Sequence, residues 1–182
     1  MQMAAKFRHQ LLGAFLTILV LQPFVSGQGS VGWNNLPLTY GFLTTSSLPE
    51  YLDLQVVTSV IDAAFQVWQV AVPKFEFRRI YPGENANIKI AFTRVGSPAY
   101  GIGYPPPDGR LYIDNNHIPW STKSYPASNE LDLMSGLLHL IGDTLGLGDS
   151  TDPTSVMYHT LTLGTIERQL SREDITRIQA LY

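Results

Sequence analysis

His139, Asp143 and Asp149 lie in one stretch, Asp132 to Tyr158 (DLMSGLLHLIGDTLGLGDSTDPTSVMY). Residues four apart on a helix project from one face, so His139 and Asp143 are neighbours if the stretch is helical. Asp149 follows Gly146 and Gly148, which break a helix and turn the chain. Imidazole and carboxylate are both metal ligands, and two carboxylates with one imidazole suit a hard ion better than zinc. A carboxylate also reaches roughly 2 Å less far from its Cα than an imidazole Nε2. Leu140, between the two candidate ligands, can neither take nor give a proton. Positioned acid–base catalysis contributes about 10²–10⁴-fold, so its absence matters.

These side chains need elements to hold them. Residues 130–145 carry Leu133, Leu137, Leu138, Ile141 and Leu145 at helical spacing. Residues 51–72 do the same with Val57, Ile61, Ala64 and Trp68, and Pro73 ends the run. Strands are predicted at Pro37–Leu43, around Phe75 and Phe77, at Ile88–Phe92, and at Arg110–Asp114. Strand, long helix, strand is a βαβ unit, which predicts parallel neighbours and a right-handed crossover. Residues 96–109 are rich in glycine and proline and read as loop, as does the stretch from 146 to about 170. Ser171 with Asp174 is a capping-box arrangement that opens a last helix buried through Ile175, Ile178 and Leu181. Trp33, Trp68 and Trp120 read as packing residues.

Composition removes several function classes. The 182 residues contain no cysteine, which excludes disulfides, thiolate metal sites and cysteine nucleophiles. Twelve basic against fifteen acidic residues leave −3 and no basic stripe, so no nucleic-acid partner is expected. Residues 1–27 read as a secretory signal: Lys6 and Arg8, the apolar run Leu11–Leu21, then Val25-Ser26-Gly27. Residues 28–182 then form one exported domain, with no membrane association after signal cleavage.

Several separated motifs resemble the matrixins, the matrix-metalloproteinase branch of the metzincin zinc peptidases, in their plant form. The family pattern is H-E-x-x-H-x-x-G-x-x-H followed by a turn containing Met. In it three His hold zinc and the Glu activates water. On that frame His139 is the first ligand position, Leu140 occupies the general-base position, and Asp143 and Asp149 replace the second and third His. Gly146 keeps the turn glycine. Ser155-Val156-Met157-Tyr158 resembles the Met-turn, with His159 where plant members have Pro. The resemblance assigns Met157, Tyr158 and His159 to the cleft wall. It runs over residues 32–182 through Ala64-Phe65, Trp68, Pro73, Phe75 and Phe77, and ends on Leu170–Tyr182. The family's structural zinc site has no His here, Tyr112 standing near one ligand position, and its calcium pair keeps Asp114 with His117 in place of an acid. The family's latency cysteine is missing.

The implied fold is α+β and zincin-like, a twisted five-stranded mixed sheet with three helices. Zinc is the family's cofactor, but the donor set argues against it here, while calcium suits Asp114. The expected function is that of a secreted, catalytically inactive matrix-metalloproteinase-like protein. It would bind extended polypeptide or an extracellular protein in the matrix or cell wall, by sheet-edge addition. The alternative is an active zinc metalloendopeptidase using a His139/Asp143/Asp149 site.

Overall fold

The computed structural model describes residues 31–96 and 99–182, together with the backbone of a short strand, β1 (Thr17–Leu19). Apart from β1, the expected signal segment lies outside the described residues. The rest runs β2 (Leu38–Phe42), α1 (Leu54–Ala71), β3 (Phe77–Arg79), β4 (Ile88–Thr93), β5 (Gly101–Gly103), β6 (Arg110–Asp114), β7 (Trp120–Ser121), β8 (Leu131–Asp132), α2 (Leu133–Thr144), β9 (Thr160–Thr162) and α3 (Arg172–Leu181).

Five strands form one sheet in the order β3-β2-β4-β6-β5. The β2–β3, β2–β4 and β4–β6 pairs are parallel, and β5 closes the sheet antiparallel to β6. The βαβ expectation therefore holds. Ile88, Ile90 and Phe92 of β4 and Leu111 and Ile113 of β6 are buried. Against them packs α1, whose Val57, Ile61, Ala64, Phe65, Trp68 and Ala71 make the apolar stripe that 3.6-residue periodicity requires. Asp53 caps α1 by accepting from the Val56 N–H, and the helix stops before Pro73.

Helix α2 is surrounded. Of its twelve residues only Met134 is not buried. An enclosed helix needs small residues where neighbours cross it. A Cβ at Gly136 would stand 2.8 Å from the Trp120 ring, and one at Gly103 would stand 2.5 Å from the Asp143 Cβ. The Trp68 indole N–H donates to the Leu138 carbonyl at 3.0 Å, tying α1 to α2.

Three departures from the sequence reading have physical reasons. Residues 96–109 contain a strand after all. Gly101-Ile102-Gly103 carries no hydrophobic alternation, because its glycines serve the close approach of α2 rather than a buried face. The helix expected from Glu130 starts at Leu133, since Asp132 caps it by accepting from the Ser135 N–H and Leu131–Asp132 pairs with Trp120–Ser121. The loop expected to run to residue 170 includes β9, which pairs antiparallel with β1. The Ser171–Asp174 capping box forms as expected. Ile178 is fully buried, while Ile175 and Leu181 are half-buried.

Candidate metal centre and cleft

His139 sits in the middle of α2 with 2 % exposure. Its Nδ1 lies 2.9 Å from the Val156 carbonyl. A carbonyl can only accept, so Nδ1 carries the proton and donates it. In the neutral ring the lone pair is then on Nε2. Burial favours that neutral form, against the attraction of Asp149. Nε2 is buried and makes no hydrogen bond.

Nε2 points at two carboxylates. Asp143 Oδ2 is 3.7 Å away, one helical turn on, and Asp149 Oδ1 is 3.5 Å away. Asp149 gets there because Gly146 takes the left-handed conformation, φ 96°, and its N–H donates to Asp143 O, turning the chain back across the helix end. The three donor atoms lie within 4.8 Å of one another, and among the described residues this is the group of three that could hold a metal ion. The three residues singled out in the sequence are thus brought together. The loop brings Asp149 close enough to offset the short reach of a carboxylate.

Leu140 is fully buried. A Cβ at Gly101 would stand 2.6 Å from one Leu140 methyl, so this side chain is packed under β5. No group capable of proton transfer stands at residue 140. Asp114 is also fully buried, but its oxygens accept from the backbone N–H groups of Val95, Asn116 and His117. These donors hold its carboxyl below the usual range although burial pushes it up. Its lone pairs are committed to a turn, which leaves little for calcium.

Beside His139 a cavity of about 200 Å³ opens, lined by Tyr100, Val156, Tyr158, Leu161, Thr162 and Glu167 among others. Of the three expected wall residues, Tyr158 lines it. Met157 instead lies beneath α2, filling the space that Gly142 leaves. His159 lies tilted against the Tyr158 ring, with centroids 4.3 Å apart, and is not in the lining.

The sequence reading missed Tyr100. Its ring is buried between Trp120 and His139, and its hydroxyl has no hydrogen-bond partner. Burial, then the Asp143 and Asp149 charges, push its pKa well above the ordinary value. A lone tyrosine next to a Gly-x-Gly carries no sequence signal for such a place. Asp174 was visible only as a cap. It also accepts from the Ser155 hydroxyl and the Val156 N–H, and so fixes the segment whose carbonyl orients His139.

The segments that build this sheet, helix and turn all fall within the match to one family model. The matrixin model covers residues 32–182. The chain belongs to the matrixin family. Curated relatives agree. Metalloendoproteinase 1-MMP of Arabidopsis thaliana is 31% identical over 166 residues, covering 85% of this chain and 45% of the relative. Metalloendoproteinase 1 of Glycine max is 33% identical over 160 residues, covering 80% and 50%. Interstitial collagenase of Bos taurus is 30% identical over 178 residues, covering 88% and 34%. This matrixin chain thus spans a third to a half of the length of these relatives. Among its described residues no helix is long and apolar enough to cross a membrane.

Proposed function

We propose that this matrixin is an exported, peptidase-inactive member of its family whose cleft binds extended polypeptide. The carrying observation is Leu140. The residue beside the first ligand position is an aliphatic side chain buried under β5, so nothing there can take a proton from an attacking water. A divalent ion fits the His139/Asp143/Asp149 donors, and would supply Lewis acidity there. The chain's own residues do less. His139 is held by Val156, Asp143 and Asp149 face its Nε2, and none stands free as a general base.

What remains is a binding surface. The β9 segment lines the cavity through Thr160, Leu161 and Thr162. An extended segment of the chain, Thr17–Leu19, runs antiparallel along it. Backbone pairing of this kind recognises a polypeptide without metal or base, and the cavity would take one side chain. The names of the relatives, metalloendoproteinases and collagenases, place polypeptide among the ligand classes to test first. Export, and an extracellular or cell-wall setting, rest on the Lys6/Arg8 and Leu11–Leu21 pattern together with the family.

The test is to incubate the mature protein with a fluorogenic matrixin peptide and excess zinc, and to measure both cleavage and binding. The expected outcome is saturable binding, weakened at least tenfold by Thr162→Trp, which fills the cavity, and no cleavage. Zinc-dependent cleavage that His139→Ala abolishes would show an active peptidase instead.

A further inference from the structure

We propose that α1 is an interface for a second copy of this chain, which docks antiparallel along the stripe Val56, Val60, Ala63, Val67 and Val70. The dimer is independent of what the cleft binds.

α1 carries two apolar faces. The first, which includes Val57, Ile61 and Trp68, is buried in the core. The second points outward. Val56 is 43 % exposed and Val70 75 %, Ala63 is exposed, and Val60 and Val67 are half-buried. Successive members of this stripe are 4, 3, 4 and 3 residues apart. That alternation is a heptad seam, and it runs almost the length of the helix. A helix face meant for water carries charged and polar residues instead. Valine there gains nothing locally, because β-branched side chains are weaker helix formers than Lys, Glu or Gln. Valine at alternate seam positions, here residues 60 and 67, is what two-stranded helix pairs use.

The flanks say what covers the stripe. The eighteen residues of α1 include one charge, Asp62, and it is engaged by Arg79 at 3.6 Å and by the Tyr40 hydroxyl at 2.8 Å. Ser59 and Gln66, which border the seam on its solvent side, are uncharged. A copy of the same face therefore meets no like charge along the helix. No Lys or Arg of α1 borders the stripe to attract an anionic membrane.

Orientation follows from the ends. Glu50 and the cap residue Asp53 make the N-terminal end acidic. Exposed Lys74, whose Nζ donates to the Tyr182 carbonyl at 2.8 Å, stands just past the C-terminal end. Parallel copies would set acid against acid. Antiparallel copies set each acidic end beside the partner's basic end and oppose the two helix dipoles. The stripe is also symmetric about Ala63, with Val56 and Val70 seven residues to either side. The two-fold axis thus falls on the smallest side chain of the stripe, which lets the two backbones approach there.

α1 is about 27 Å long, so one helix pair is a small interface, with an expected dissociation constant of roughly 10–100 µM. None of the residues lining the cavity beside His139 belongs to α1. A dimer therefore offers two cavities. On the peptide-binding reading proposed above, and only on it, the pair gains avidity for a polypeptide with repeated sites.

The test is sedimentation velocity of the exported protein from low micromolar to millimolar concentration. Expected is a reversible monomer–dimer equilibrium. Val56→Glu should weaken it at least tenfold. The thermal midpoint of dilute protein should not change, because residue 56 is exposed. Adding Val70→Lys to the same chain should restore the dimer, since an antiparallel partner sets acid beside base at both ends of the seam. The chain has no cysteine, so Ala63→Cys introduces a single thiol. A disulfide needs Cα atoms within about 7 Å, a distance that only a residue on the axis has to its own copy. Ala63→Cys should cross-link under mild oxidation and Gln55→Cys should not. A protein that stays monomeric at millimolar concentration would overturn the proposal. So would a dimer that Val56→Glu leaves intact, or one that the double variant fails to restore. A monomer that floats with phosphatidylcholine vesicles would give the stripe to a lipid surface and overturn the dimer.

Discussion

Leu140 marks the limit of what a single change can restore. Its side chain is fully buried and lies under β5, in space that also excludes any Cβ at Gly101. Leu140→Glu would place a carboxylate there with no partner in reach. An unpaired buried charge is among the few causes of large destabilisation. The expected cost is about 3–5 kcal/mol, read from urea unfolding, with no peptidase activity gained. A variant as stable as the parent would mean the side chain can swing into the cavity. The shared helix face of His139 and Asp143 was legible from spacing, and the family resemblance added Asp149. Their convergence was not, because it depends on where a loop after a left-handed glycine returns. Tyr100 was invisible for a related reason: its importance comes from Asp143, Asp149 and Trp120, all distant in sequence.

At the level of elements, α3 does two jobs through one carboxylate. Asp174 accepts from the Ser171 N–H and hydroxyl at its own helix start, and from Ser155 and Val156 in the segment behind His139. Removing it leaves several buried donors unsatisfied and loses a cap. Asp174→Ala should cost roughly 2–4 kcal/mol, the sum of a cap and a buried network. Urea unfolding of this variant checks the cost, and an unchanged midpoint would show that the carboxylate carries neither job. Long elements were readable because periodicity accumulates over many residues: α1 and β4 stand where their patterns put them. Three-residue strands have no such signal. β5 is short and glycine-rich because α2 lies against it, and β9 is a strand only because another segment pairs with it.

At the scale of the whole molecule, the parallel strand neighbours were legible from the βαβ pattern, while the five-stranded mixed sheet followed from the resemblance to the matrixins over residues 32–182. Its acid stability follows from a residue with no place in the cleft. Asp114 is held below its ordinary pKa by three backbone N–H donors in the turn after β6. A carboxyl with a lowered folded-state pKa contributes stability that is fully present above its unfolded pKa. That contribution is lost as pH falls through the folded value, which lies below the usual carboxylate range. Asp114→Asn should therefore unfold more readily at pH 7 and show a flatter decline between pH 4 and 2, measured by denaturant midpoints across that range. Finally, the three tryptophans all meet one helix. The Trp120 ring lies on Gly136 near the start of α2, Trp68 donates to Leu138 at its middle, and Trp33 donates to Thr144 at its end. The molecule's entire tryptophan emission therefore comes from rings that touch the helix carrying His139 and Asp143. It is an unlabelled optical gauge of that one element, set against Tyr100 on the cavity side and blind to the far edge of the sheet.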